Sequence, residues 1–101
     1  MSKQNKKLSA KDLTLNIAVN LGRISRWAME GKIQRVNQFL IETEEYINQL
    51  ENVDKNPKFQ STFNSFKNNF IKIKSHVRMD QEWAEDTLTW ANILTHRAKL
   101  A

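Results

Sequence analysis

Histidines and paired carboxylates are the side chains of this chain that could perform acid–base or metal chemistry. His76 and His96 lie twenty residues apart. Neither has the Glu-x-x-His spacing of a di-iron helical bundle or the His-Glu-x-x-His pattern of a zinc protease. Glu44 and Glu45 are adjacent, so on a helix they point to different sides and cannot form a catalytic dyad. Because the chain also has no cysteine and no glycine-rich phosphate loop, we expect a protein that is not an enzyme and carries no metal or cofactor.

A cluster of basic residues around one glycine is the strongest candidate for binding an anion. In the segment RISRWAMEGKIQR, four bases and one tryptophan surround Gly31, with a single acid among them. Arginine binds phosphate or carboxylate at two points, and the tryptophan could stack on a nucleic-acid base or on Arg23. The predicted nucleic-acid or anion-binding residues are Arg23, Arg26, Trp27, Lys32 and Arg35.

Charge is distributed along the chain in blocks of alternating sign. The formal net charge is +5. Residues 1–37 carry +6, residues 38–54 carry −5, residues 55–79 carry +6 and residues 80–101 carry −2. Blocks on successive antiparallel helices can pair with one another, at up to about 1 kcal/mol for each exposed pair. The surplus of base is the kind of asymmetry that suits a nucleic-acid partner.

Helical periodicity dominates the sequence. Two glycines and one proline among 101 residues are too few for the frequent turns of an all-β fold. Apolar residues recur at spacings of three and four in four successive segments of similar length. Short connections between them favour an all-α fold, an up-and-down four-helix bundle. We expect a single helical domain over residues 1–101, with residues 1–8 as a flexible basic tail. The predicted helices span residues 10–30, 32–53, 57–78 and 80–99.

The three breaks between these helices depend on different signals. Gly31 supplies the left-handed residue of a tight turn, while Asn56 and Pro57 cap and begin the third helix. The break near Asp80 has neither glycine nor proline, and depends on a capping aspartate with bases before it and acids after it. The alternative is two helices followed by one long C-terminal helix, which would form an intertwined dimer.

The stretch FQSTFNSFKNNFIKIKSHVRM contains four of the five phenylalanines. Aromatic residues interleaved with bases can form a stacking platform for nucleic-acid bases. Here the large apolar groups fall on one narrow helical stripe, and exposing them would leave several hundred Å² of apolar surface uncovered. The sequence therefore predicts a core face, formed by Phe59, Phe63, Phe66, Phe70, Ile73 and Val77.

Additional apolar strips indicate self-association. The first helix has a second apolar strip roughly opposite its core face, and the last helix has alanine at every seventh position, which would allow a partner helix to approach closely. A four-helix bundle needs only one apolar stripe on each helix. We therefore expect a homo-oligomer, most simply a dimer in which both copies use the same patch. The predicted self-association residues are Leu8, Leu15, Val19, Met29, Ala84, Leu88, Ala91 and Ala98.

Two functions remain after these exclusions. The first is a small non-enzymatic helical module for protein–protein interaction or assembly, which associates with itself or with another protein. The alternative is a basic helical subunit associated with RNA or DNA, which binds phosphates at the Gly31 turn. No segment reaches the roughly 18–20 consecutive apolar residues of a membrane span. The lack of cysteine favours a cytoplasmic location.

Overall fold

Four antiparallel helices form the fold of this chain, in a computed structural model that describes residues 8–101. They are α1 (Ala10–Met29), α2 (Ile33–Glu51), α3 (Pro57–Ser75) and α4 (Gln81–Arg97), and a short 3-10 turn, Ala98–Leu100, follows α4. No strand occurs within these residues. The predicted all-α four-helix bundle is thereby confirmed. Apart from Leu8, the predicted flexible tail over residues 1–8 lies outside the described residues.

Ion pairs between α2 and α3 establish that these helices run in opposite directions. Lys67 donates to the carboxylate of Glu51 at 2.5 Å. Lys74, two turns further along α3, donates to Glu44, which lies two turns nearer the start of α2. The basic block of α3 thus pairs with the acidic block of α2, as the alternating charges predict.

The closest helix pair is α1 with α4. Near the end of α1, the Ser25 hydroxyl donates to the Ala84 carbonyl near the start of α4 at 2.7 Å, so the two backbones lie close together. Ala84, Ala91 and Ala98 are buried in the core of the chain itself. The prediction that these three alanines line a surface between two copies is therefore wrong, because the chain's own helices already cover them.

The phenylalanine stripe of α3 forms the opposite side of the core, against the tryptophans of α4. The rings of Phe66 and Trp90 are 5.5 Å apart between centroids, and Trp83 Nε1 donates to the Ile73 carbonyl at 3.1 Å. The predicted core face is confirmed, since all but the last of its members are buried and Val77 is half-buried. The rings are consequently unavailable as a stacking platform.

The first two predicted breaks are confirmed. Gly31 adopts a φ of +72°, the left-handed conformation that a tight helix–helix turn requires. Pro57 is the first residue of α3, and the Asn56 side chain accepts a hydrogen bond from the Lys58 N–H at 2.9 Å. At the end of α2, the Lys55 ammonium donates to the carbonyls of residues 50, 51 and 53. This ammonium satisfies carbonyls that have no partner within the helix.

The third break is also present, so the alternative of one long C-terminal helix is wrong. α3 ends at Ser75, three residues before its predicted end. Met79 adopts a φ of +60°, which an α-helix does not accommodate. Asp80 then caps α4 by accepting the Trp83 N–H at 2.8 Å. The Arg78 guanidinium donates to the same carboxylate at 3.0 Å.

This cap predicts how stability depends on pH. The Trp83 N–H bond, and after it the Arg78 guanidinium, lower the pKa of the Asp80 carboxyl. Folding therefore favours the ionised form. The stabilisation of the fold by the ionised Asp80 carboxylate is present above the ordinary aspartate pKa of about 4. This stabilisation is lost as the pH falls through the folded-state pKa of Asp80. We expect Asp80→Asn, which keeps an acceptor and removes the charge, to lower the thermal midpoint at pH 7, and we expect this deficit to shrink as the pH falls below about 4.

Asp54→Asn is the matched control, because it removes one carboxylate from the α2–α3 connection without touching a helix cap. Its thermal midpoint is expected to follow that of the wild type across the same pH range. An Asp80→Asn deficit that stays constant from pH 7 to pH 3 would contradict the role of the ionised cap.

Candidate functional site

The outer face of α1 carries an apolar strip. Val19 is 51% exposed and Met29 is 58% exposed, while Leu8 is exposed just before the helix and Leu15 is half-buried. On the adjoining helix α4, Leu88 is 43% exposed. Five of the eight predicted self-association residues are therefore exposed or half-buried. Leu8 precedes α1, and the other four lie on α1 and α4, the two helices that pack most closely.

Gly22 lies within the same outer face of α1. A Cβ atom built at this position would have no neighbouring atom within 4 Å, so packing within the described chain does not require glycine there. Glycine in the interior of a helix costs about 0.5–1 kcal/mol relative to alanine. The sequence pattern does not distinguish Gly22, because only the positions of neighbouring helices reveal that the space above it is open.

Charged residues border this strip along α1. Asp12 lies in the first turn of the helix, and its backbone N–H donates to the capping Ser9 hydroxyl at 3.1 Å. Arg23 and Arg26 lie in the second half of the helix and are exposed. Within residues 8–101, none of these three charged side chains forms a salt bridge. Asp12 thus lies near one end of the outer face, next to the exposed base Lys11, and Arg23 and Arg26 lie near the other end.

Trp27, predicted to stack on a nucleic-acid base or on Arg23, is already engaged within the chain. Its half-buried ring packs edge-on against Phe39, with 4.7 Å between centroids. The Arg35 guanidinium carbon lies 5.4 Å from the centre of the Trp27 ring, so Arg35 rather than Arg23 forms the cation–π contact. Two of the five predicted anion-binding residues, Trp27 and Arg35, thus contact each other within the chain.

The remaining basic residues surround the beginning of α2. No side chain caps this helix, and no acid lies in its first turn. A cavity of about 330 Å³ is lined by residues 31–35. Lys32 forms a salt bridge with Glu30 at 3.0 Å, which leaves Arg23 and Arg26 as the bases of this group that have neither a salt bridge nor an aromatic partner among the described residues. Free N–H groups at a helix start attract anions.

A second cavity lies between the last half of α3 and the first half of α4. It has a volume of about 520 Å³, and its walls include the indoles of Trp83 and Trp90. Lys72 and His76 line it from α3 and the following connection, and Asp86 lines it from α4. The sequence pattern did not predict this groove, since it depends on how far the aromatic rings hold α3 and α4 apart. Its walls carry both signs of charge and do not select one class of ligand.

The buried polar side chains serve structure. The hydroxyls of Thr14, Thr43 and Thr87 each donate to the carbonyl four residues earlier, at 2.6–2.9 Å. The Ser25 hydroxyl donates to the Ala84 carbonyl of α4. The Asn20 amide donates to the Glu42 carboxylate of α2 at 3.2 Å. In the part of the chain that the structure describes, no buried side-chain polar atom lacks a partner. Nor do these residues include a group of three or more histidine, cysteine or acidic side chains that could hold a metal ion.

The open position at Gly22 generates a stability prediction. Gly22→Ala is expected to raise the free energy of unfolding of the isolated chain by about 0.5–1 kcal/mol, because alanine is the better helix former and meets no neighbour. Urea unfolding at low protein concentration measures this difference. A loss of stability would mean that the dilute chain uses the glycine for a close contact.

Neither a membrane-spanning helix nor a related protein points to a use for these surfaces. None of the helices within residues 8–101 is both long and apolar enough to cross a membrane. Comparison with protein-family models, with curated proteins and with solved structures gives no match for this sequence.

Proposed function

We propose that this chain is a small non-enzymatic helical assembly module that associates with a second copy of itself through the outer face of α1. The observation that carries the proposal is the strip of Val19 and Met29, both more than half exposed, which continues through Leu15 towards Leu8. Removing apolar surface from water contributes about 25 cal/mol per Å², so this strip favours association with another apolar face.

The position of the strip supports an assembly role further. It lies on the helix that contacts both α2 and α4 and is therefore held at a fixed orientation by the core. Rigid elements present interaction surfaces with a smaller loss of conformational entropy than loops do. The open position at Gly22 lies beside the strip, where a side chain of a second copy can approach the backbone.

Val19→Glu tests this function. The substitution places a carboxylate in the middle of the strip, where desolvating it on association is costly. Since Val19 is 51% exposed in the single chain, the fold is expected to tolerate the change to within about 0.5 kcal/mol. We expect the wild type to show a molar mass above that of one chain by light scattering after gel filtration, and Val19→Glu to elute with the mass of one chain.

Ile71→Glu provides the matched control, because Ile71 is 63% exposed on α3 and lies outside the proposed surface. This variant is expected to retain the wild-type molar mass. A wild-type chain that stays monomeric up to high concentration would overturn the proposed self-association.

Binding of nucleic acid at the basic end is the second candidate function. It is favoured by the uncapped start of α2 and by Arg23 and Arg26, which are exposed and have no salt bridge to a described residue. Phosphate oxygens fit both features, since arginine and free helix N–H groups each bind them. The engagement of Trp27 with Arg35 argues for phosphate contacts over base stacking here.

Fluorescence anisotropy with labelled RNA and duplex DNA tests the second candidate. For the wild type we expect affinity to fall steeply between about 50 and 200 mM salt, because bound phosphates release counterions. Replacing Arg23, Arg26 and Lys32 together by Gln is expected to weaken binding and to flatten the salt dependence. A control with Lys58, Arg97 and Lys99 replaced by Gln loses the same charge away from the Gly31 turn. Equal losses in the two variants, or no binding at about 50 mM salt, would contradict a site at this end.

A further inference from the structure

We infer that the second copy docks with its α1 antiparallel to the first, around a two-fold axis that passes beside Val19. This inference rests on the self-association proposed above and specifies its geometry. The order of charged, apolar and small residues along the outer face of α1 is self-complementary. When a second α1 runs in the opposite direction, each of these groups faces a group that matches it.

Charge gives the clearest complementarity. Asp12 lies seven residues before Val19, and Arg26 lies seven residues after it. Seven residues are almost two full turns, so all three residues lie on one side of the helix, and each charge is about 10 Å from Val19 along the axis. In an antiparallel pair centred on Val19, Asp12 of each copy faces Arg26 of the other. In a parallel pair each charge would face its own like charge.

The open space at Gly22 fits the same arrangement. Leu15 lies four residues before Val19 and Gly22 lies three residues after it. In the antiparallel pair centred on Val19, Leu15 of one copy lies at nearly the same position along the helix axis as Gly22 of the other. Both residues lie on the same flank of the contact between the two helices. A Cβ atom built at Gly22 would meet no neighbouring atom within 4 Å, and its absence leaves room for that leucine.

The side on which Gly22 lies is the side of α4. Ser25 is one turn beyond Gly22, and its hydroxyl bonds the Ala84 carbonyl of α4. Leu88, one turn further along α4, is exposed. Leu88 therefore borders the Gly22 side of the α1 face and adds apolar surface for the incoming helix. Three of the predicted self-association residues, Leu15, Val19 and Leu88, thus belong to one patch.

A second copy explains this pattern better than a different protein does. Recognition of another chain requires complementarity to that chain's surface, and it gives no reason for an acid and a base at equal distances on either side of one apolar residue. A two-fold interface requires that symmetry, because every residue must face a counterpart from the same sequence. One helix pair buries less than the roughly 800 Å² per partner of a standard interface, so the dimer is expected to dissociate on dilution.

A charge exchange tests the antiparallel geometry. Sedimentation velocity over a concentration series measures the dissociation constant of the dimer. The proteins compared are the wild type, Asp12→Arg, Arg26→Asp and the double variant. Each single variant places like charges opposite each other twice in the dimer, and we expect it to raise the dissociation constant about tenfold or more. The double variant restores opposite charges at both contacts and is expected to return to within about threefold of the wild type.

The design separates a docking effect from a folding effect. Asp12→Arg weakens the start of α1, where acids are favoured, but the double variant keeps that change, so recovery cannot come from the fold. The control combines Arg26→Asp with Asp54→Arg, so that it also reverses two charges, but Asp54 lies outside the outer face of α1. This control is expected to have the same dissociation constant as Arg26→Asp alone.

Disulfide trapping gives a second, independent readout. The chain contains no cysteine, and a residue on the two-fold axis lies next to its own copy. Val19→Cys is therefore expected to form a covalent dimer under mild oxidation much faster than Ile71→Cys. A wild type that sediments as a monomer at every concentration would overturn self-association itself. A wild type that dimerises while the double variant fails to recover, or while the Val19→Cys variant fails to crosslink, would overturn the antiparallel geometry alone.

Discussion

The close approach of α1 to α4 determines the arrangement of the rest of the chain. The bond from Ser25 to Ala84 requires the two backbones to be near each other, and the buried alanines of α4 make that spacing possible. Because the small residues of α4 face α1, its tryptophans must turn towards α3, where Trp90 meets Phe66. On its other side, α1 is joined to α2 by Asn20 and Glu42. A helix held from two sides buries a wide arc and leaves one narrow outer face.

Much of this fold could be predicted because the signals in the sequence are local. A glycine at a shift of apolar phase predicts the Gly31 turn, and Pro57 after Asn56 predicts the start of α3. The third break was harder, since the residue that reverses the chain is Met79 with a φ of +60°. A methionine gives no sign of that conformation, whereas a glycine would. The capping aspartate at position 80 still located the start of α4 to within one residue.

The candidate site was less predictable because exposure depends on which helices are neighbours. Alanine at every seventh position of α4 indicates that a helix approaches closely, but it does not distinguish a helix of the same chain from one of a second copy. The structure assigns Ala84, Ala91 and Ala98 to the chain's own core. Gly22 presents the reverse case. Its type is visible in the sequence, but the open space above it becomes apparent only when α4 is in place. The contact between Trp27 and Arg35 likewise requires the turn at Gly31 to bring the two residues together.

The two proposed functions are thermodynamically connected because they use one side chain. Arg26 faces Asp12 of the second copy in the inferred dimer, and it also lies among the bases at the Gly31 end. An arginine paired with a carboxylate contributes less to phosphate binding, so each event lowers the affinity of the other at this residue. Other bases of that end, Lys32 and Arg35, lie off the α1 face, so the dimer contact does not engage them. Association therefore reduces the positive charge open to nucleic acid without removing it, and raising the salt concentration weakens both events, because each includes contacts between opposite charges.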